Sequence, residues 1–222
     1  MRDYYHEQLD EVANGLIEMS RLVGSAVSKA TTALLDADLA AAEAVIVGDE
    51  AVNALYKQID ESAVMLLARQ QPVATDLRAI LTGLRMSNDL ERVGDYAVHI
   101  AKVARRRHPA SVVPVALRST MLEMGQAAAR IAIKAGTVIA TRDLTLAAQL
   151  LADDDTIDDL HASLLGALLD RANDFGVEAT IDLALVGRYY ERLADHATSI
   201  SHAVTYLVTG EHADPESYAA DE

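Results

Sequence analysis

Two segments of this sequence carry the same pattern, 100 residues apart: ERVGDYAVHI at residues 91–100 and ERLADHATSI at residues 191–200. In each segment the Glu and the Asp stand four residues apart, a spacing that puts both side chains on one face of a helix. Two like charges at this spacing cost a helix roughly 0.2–0.5 kcal/mol unless a positive group lies between them. The duplicated pair therefore predicts two equivalent sites that attract a cation.

The composition limits the classes of protein to be considered. The chain has 222 residues, of which 34 are acidic and 19 basic, for a formal net charge of −15. Proteins that bind nucleic acid through phosphate contacts usually show a basic patch, and none dominates here. The absence of cysteine excludes disulfides, thiolate zinc sites and thiol nucleophiles. The sequence has no apolar run of the ~18 residues that a membrane span needs, and its opening, Met1–Glu7, does not resemble a signal peptide, so we expect a soluble intracellular protein.

Apolar residues recur at steps of three and four almost throughout the chain, the period of an amphipathic helix. The first such stripe predicts a helix from about residue 4 to 36. Asp38 is the expected N-cap of a second helix, and Pro72 should end that helix near Gln70. A third helix carries the first acidic motif and ends in three arginines, 105–107, which we interpret as complementing the negative end of the helix.

After the segment 108–114, which contains two prolines, the same order of features returns. Asp38-Leu39 matches Asp143-Leu144 at an offset of 105, and the offset falls to 100 at the final motif. The sequence thus predicts an all-α fold of six long helices, built as two tandem up-down-up three-helix bundles at 1–108 and 114–210. Gly210 should end the last helix, and residues 211–222 are expected to form a disordered acidic tail.

Each repeat carries a second polar pair at the four-residue spacing, on its second helix. The pairs are Asp49 with Asn53 and Asp154 with Asp158. Because the second and third helices of such a unit run antiparallel, these pairs can reach the level of the acidic motifs. The third helix continues a stripe that we expect to be an apolar seam: Leu77, Leu81, Leu84, Asn88, Glu91, Asp95. The candidate metal ligands are Glu91, Asp95, Glu191, Asp195, Asp49, Asp154 and Asp158.

Two interpretations of the carboxylates stay open. In one, Arg92, Arg192 or neighbouring basic side chains neutralise them on a solvated face. In the other, which the duplication favours, they bind Mg²⁺, Mn²⁺, Ca²⁺ or a carboxylate-bridged iron cluster, because oxygen ligands suit hard cations. Ferritin-like di-iron enzymes use Glu-x-x-His, and no Glu here has His three residues later. We therefore predict no catalytic residue and no organic cofactor. A metal-buffering bundle, a helical adaptor and a carboxylate-bridged di-metal enzyme remain the alternatives.

Several of these segments resemble the PhoU family. The stretches 71–78 and 89–95 are similar to the third helix of that family, and 191–198 with 206–211 to its last helix. The resemblance implies a cytoplasmic, often dimeric, helical regulator without enzymatic activity. Such regulators connect the ATPase subunit of the phosphate ABC transporter to a sensor histidine kinase and restrain phosphate uptake and phosphate-starvation genes.

The resemblance also implies metal ions, among them magnesium, manganese, zinc or iron, on the acidic motifs. The matching positions are Glu91, Asp95, Glu191 and Asp195, with Asp49, Asp154 and Asp158 in supporting roles. Asn53 stands where the family commonly has Asp, so the first site has one negative charge fewer and is expected to bind metal more weakly. Ser199 and His202 replace the Asn and Glu that are usual in the last helix.

Overall fold

A computed structural model describes residues 2–170, 173 and 175–211, and these residues form six α-helices. The helices are α1 (Arg2–Asp36), α2 (Leu39–Gln70), α3 (Ala74–Arg107), α4 (Arg118–Thr141), α5 (Leu144–Leu169) and α6 (Val177–Thr209). A short 3₁₀ turn, Val115–Leu117, precedes α4. The predicted all-α fold with a duplicated three-helix unit is confirmed.

The helix ends follow the capping chemistry expected from the sequence. The Asp38 carboxylate accepts a hydrogen bond from the amide of Ala41 at 3.0 Å, and Asp143 caps α5 in the same way through the amide of Thr145 at 2.8 Å. Helix α6 ends at Gly210, whose φ of 80° lies in the left-handed region that glycine adopts without strain. The acidic tail lies, from residue 212 onward, outside the described residues.

Helices of the two repeats pack on each other in antiparallel pairs, α1 with α4 and α3 with α6. In the first pair Ser20 donates to the carbonyl of Ala132 at 2.6 Å, and Arg118 donates to the carbonyl of Leu35 at 2.5 Å. Residue numbers therefore rise along α1 as they fall along α4. Helix α2 lies on α1 and α3, and α5 lies on α4 and α6, so both repeats share one hydrophobic core.

The stripe proposed for α3 is not the face that α3 buries. Leu81 is 43% exposed and Asn88 is exposed, whereas the adjacent Ile80, Met86 and Leu90 are buried. The expectation that the carboxylates continue a buried seam was therefore wrong. Glu91 and Asp95 lie at the border between core and solvent, because the helix is rotated to bury the small residues Gly83 and Gly94 against its neighbours.

Candidate functional site

The first repeat brings Asp49 of α2 next to the acidic motif of α3. Gly94 makes this approach possible, since a Cβ at that position would lie 3.3 Å from Asp49 Oδ1. Burial raises the pKa of the Asp49 carboxyl, and the charge of Asp95 adds to that increase. Asn53 opposes it by donating from Nδ2 to Asp49 Oδ2 at 2.8 Å.

Glu91 belongs to the same cluster. Burial raises the pKa of its carboxyl, and the negative charges of Asp95 and Asp49 raise it further. These mutual effects mean that Asp49, Glu91 and Asp95 interact as one group of carboxylates, as expected for antiparallel neighbouring helices. The shared repulsion favours either protonation or a nearby cation.

The second repeat has the same layout on α5 and α6. A Cβ at Gly187 would lie 2.7 Å from Leu164 Cδ2, and this contact fixes the level at which the antiparallel helices α5 and α6 meet. Counting back along α5 from Leu164 puts Asp154 and Asp158 near the level of the α6 motif. Asp154 is half-buried and Asp158 is exposed. Glu191 accepts from Arg188 through Oε1, while its Oε2 is buried and accepts no hydrogen bond from the described residues.

Arginines contact the carboxylates in both motifs. Arg92 donates to Asp95 Oδ2 at 3.0 Å and lies 3.5 Å from Glu91 Oε2. Arg192 donates to Asp195 Oδ2 at 2.9 Å. The structure thus contains the contacts expected if arginines neutralise the carboxylates of the motifs.

The acidic motifs have the ligand chemistry for a metal ion, but their side chains are not arranged to hold one. Their donors are carboxylate oxygens, the ligands of hard cations, and the buried Glu191 Oε2 is free to bind one. Within the described part of the chain, however, no three Asp, Glu or His side chains stand close enough to hold one ion together. Metal binding would therefore require the carboxylates to rotate away from Arg92, Arg188 and Arg192.

A cluster of rings joins the two motifs where α3 crosses α6. His196 Nδ1 lies 3.1 Å from Asp89 Oδ1, and the rings of Tyr96 and Tyr189 stack with centroids 6.1 Å apart. His99 stacks on Tyr189 at 5.2 Å. Asp89 was not among the residues predicted for the site. The offset of 100 residues between the repeats could have pointed to this contact. It relates Asp89 to Tyr189 and Tyr96 to His196, so the pair Asp89–His196 is equivalent to the pair Tyr189–Tyr96.

None of the helices in the ranges 2–170 and 175–211 combines the length and the apolar character needed to cross a membrane.

The fold and the site together define a helical bundle of two repeats, with one acidic motif per repeat beside a shared contact of α3 and α6. The chain belongs to the PhoU family, whose model, described as "PhoU domain", matches residues 16–104 and 121–204. Both acidic motifs lie inside the matched ranges.

The chain is similar to curated proteins over nearly its whole length. It is 45% identical to "Phosphate-specific transport system accessory protein PhoU homolog 2" of Mycobacterium tuberculosis, covering 95% of this chain and 99% of that protein. It is 29% identical to a PhoU homolog of Xylella fastidiosa, covering 98% of this chain and 92% of the relative.

Solved structures agree with the fold. The crystal structure of PhoU from Pseudomonas aeruginosa has a TM-score of 0.82 at 29% identity and covers 93% of this chain and 100% of its own. The phosphate transport system regulatory protein PhoU of Streptococcus pneumoniae has a TM-score of 0.85 at 24% identity, covering 95% of this chain and 99% of its own, and supports the fold alone.

Proposed function

We propose that this protein is an accessory regulator of phosphate-specific transport, which restrains phosphate uptake and the phosphate-starvation response when phosphate is plentiful. The observation that carries the proposal is the similarity, at 45% identity and over 95% of this chain, to proteins described as accessory to that transport system. The paired acidic motifs on the α3–α6 contact are the part of the structure that this function would use.

The protein would act by contact rather than by catalysis. The family resemblance implies two partners, the ATPase subunit of the phosphate transporter and a sensor histidine kinase, and a location in the cytoplasm as a homodimer. The outer surface of α3 and α6 is suited to such contacts, because it presents the partly exposed ring cluster between two groups of charged side chains. Access to the membrane would then be through the partner proteins.

Metal binding at the motifs is a further part of the proposal. Asp49, Glu91 and Asp95 would hold one ion or cluster, and Glu191, Asp195, Asp154 and Asp158 another, with magnesium, manganese, zinc or iron as the candidates. A bound cation would supply positive charge that neutralises carboxylates contributed by two helices. Arg92, Arg188 and Arg192 would be released from their present contacts and become available to a partner.

A phosphate-starvation reporter tests the regulatory role. Deleting the gene in its own host, grown with ample phosphate, is expected to raise alkaline phosphatase or an equivalent reporter, and the intact gene should restore repression. Unchanged low reporter activity in a strain without any other PhoU gene would contradict the proposal.

The acidic motifs are tested in the same strain. A variant with Ala at positions 91, 95, 191 and 195 should fail to repress and should bind less metal after dialysis, as measured by mass spectrometry of the metal content. Glu61→Ala is the matched control, since it removes a carboxylate from an exposed i,i+4 pair with Lys57, outside both motifs. If the four-residue variant still represses the reporter fully, the acidic motifs are not required for regulation. Stoichiometric metal uptake without any effect on the reporter would instead favour the metal-buffering alternative.

A further inference from the structure

A cavity of about 270 Å³ opens at one end of the bundle, between α1, α3, α4 and α6. We call it the end cavity. Much of its wall is apolar, formed by residues that include Val12, Leu16, Ile139, Val204 and Leu207. Its volume is just below the ~300 Å³ at which pockets for drug-sized ligands begin, so the end cavity suits a smaller molecule.

The opposite end of the bundle, which the internal repeat relates to this one, holds large apolar side chains at the corresponding place. Thr75 and Gly83 line the end cavity, and at an offset of 100 their counterparts are Phe175 and Leu183. Leu183 is fully buried, and Phe175 packs against the core. The end cavity therefore lies where the other end of the molecule holds an aromatic ring and an aliphatic side chain.

The charged residues of the end cavity are also particular to this end. They are Asp10, Asp76 and Arg142. At the offsets of the repeat, their counterparts are Val115, Gly176 and Ala37. Asp10 and Arg142 are exposed and Asp76 is partly exposed, so the charges stand at the mouth of the cavity. None of these three side chains has an ion-pair or hydrogen-bond partner among the side chains that the structure describes.

Charges of both signs at the mouth of an apolar cavity favour a small ligand that itself carries both signs. A guanidinium such as that of Arg142 binds a carboxylate through two parallel hydrogen bonds. The carboxylates of Asp10 and Asp76 can accept hydrogen bonds from an ammonium group, which has only donors to offer. The apolar wall leaves room for a side chain about as large as those of Phe175 and Leu183.

From these observations we infer that the end cavity binds a free α-amino acid with a large apolar side chain, such as leucine or phenylalanine. Arg142 would bind its carboxylate, Asp10 and Asp76 its ammonium group, and the space beside Gly83 its side chain. Such a ligand would contact α1 and α3 of the first repeat together with α4 and α6 of the second. Binding would therefore stabilise the packing of the two repeats. The inference is independent of the proposed role in phosphate regulation.

Isothermal titration calorimetry of the full chain with L-phenylalanine and with L-leucine tests the inference. Saturable binding of one molecule per chain is expected, together with a rise in the thermal unfolding midpoint. Two analogues separate the charged groups, since phenethylamine lacks the carboxylate and 3-phenylpropionate lacks the ammonium group. Each analogue should bind about ten-fold more weakly than phenylalanine or worse, because it leaves charged groups at the mouth without a partner.

Two substitutions install residues of the opposite end. Thr75→Phe should fill the end cavity, and Arg142→Ala should remove the partner of the carboxylate, so each should weaken the binding of phenylalanine about ten-fold or more. Both positions are exposed, and the midpoint without ligand should therefore stay nearly unchanged. Arg142→Ala should leave the weak binding of phenethylamine unaltered. Arg85→Ala is the control, because it removes an exposed arginine of α3 that does not line the cavity.

The inference is overturned if neither amino acid binds at millimolar concentration, or if both bind and neither Thr75→Phe nor Arg142→Ala weakens the binding. Phenethylamine that binds as tightly as phenylalanine would also overturn it, since the carboxylate would then play no part in recognition. The phosphate-starvation reporter is a separate readout. Full repression by Thr75→Phe would leave the regulatory role intact whatever the calorimetry shows.

Discussion

His196 of α6 lies 3.1 Å, measured from its Nδ1, from Asp89 Oδ1 of α3, and this contact joins the two repeats beside their acidic motifs. The position related to it by the internal repeat holds the stacked rings of Tyr96 and Tyr189. The two motifs are thus held in register by one polar contact and one aromatic contact at equivalent places.

A double-mutant cycle measures this contact. Asp89→Ala and His196→Ala should couple by about 0.5–1.5 kcal/mol in the free energy of unfolding, because both side chains are largely buried and their hydrogen bond is shielded from water. Urea unfolding of the two single variants and the double variant gives the coupling. The exposed pair Glu18–Arg21 serves as the reference, for which a much smaller coupling is expected because both side chains are solvated. A coupling at Asp89–His196 no larger than the reference would show that the contact does not hold the repeats together.

Neutralising the first acidic cluster should stabilise the metal-free protein. The pKa of both Asp49 and Glu91 is raised in the fold, above all by burial, so the folded state binds their protons more tightly than the unfolded state does. Ionisation of these groups therefore weakens the fold, and that penalty is complete only above the raised pKa values. Asp49→Asn and Glu91→Gln should each raise stability at pH 7 by a few tenths of a kcal/mol, since both sites are partly solvated.

The stability gained by Asp49→Asn and Glu91→Gln should depend on pH. The advantage of the two variants should shrink as the pH falls toward the ordinary carboxyl pKa near ~4, where the wild-type side chains become protonated. Thermal unfolding with a chelator, at several pH values, measures it. Adding metal should reverse the order, because only the wild type can bind it fully. Lower stability of both variants in the chelator would contradict the repulsion inferred here.

Asp182 should contribute more to stability than its exposed neighbour Glu178. Its carboxylate is nearly buried, contacts Arg106 and lies 3.4 Å from Arg107 Nε, so it fastens the start of α6 to the end of α3. Asp182→Asn is expected to cost about 2 kcal/mol, the scale of a hydrogen bond to a charged group. Glu178→Gln, which alters a largely exposed pair, should change stability much less than Asp182→Asn does. Equal effects of the two substitutions in urea titrations would refute this ranking.

Two glycines offer a test of the packing between the repeats. A side chain at Gly125 in α4 would collide with Thr31 of α1, whose hydroxyl lies 2.8 Å from the hydroxyl of the fully buried Tyr190. Gly125→Ala should therefore destabilise the protein by about 1–3 kcal/mol. Gly48→Ala is the control, because no atom lies within 4 Å of the added carbon, and it should stabilise α2 by about 0.5–1 kcal/mol. If Gly125→Ala and Gly48→Ala shift the thermal unfolding midpoint in the same direction, the close packing inferred at Gly125 is contradicted.

The repeat and its offsets allowed most of the helix layout to be predicted from the sequence. Asp38, Asp143 and Gly210 act as the expected caps, and Asp49 does lie beside Glu91 and Asp95. The arginines at 106 and 107 were interpreted only as complements to a helix end, whereas they bind Asp182 and Glu178 of the other repeat. Spacing along one helix could not reveal these partners, which lie more than 70 residues away in the sequence.

The sequence by itself determined what is local: helix period, caps, the internal repeat and the carboxylates four residues apart. These follow from backbone geometry and from hydrogen bonds within a few residues. Only the tertiary structure decided which face α3 buries, that Glu91 and Asp95 lie at the border of the core, and that Asp89 meets His196. Those features depend on how each helix rotates to fill one shared core, and small residues such as Gly94 and Gly187 let side chains of the neighbouring helix pack closely at these faces.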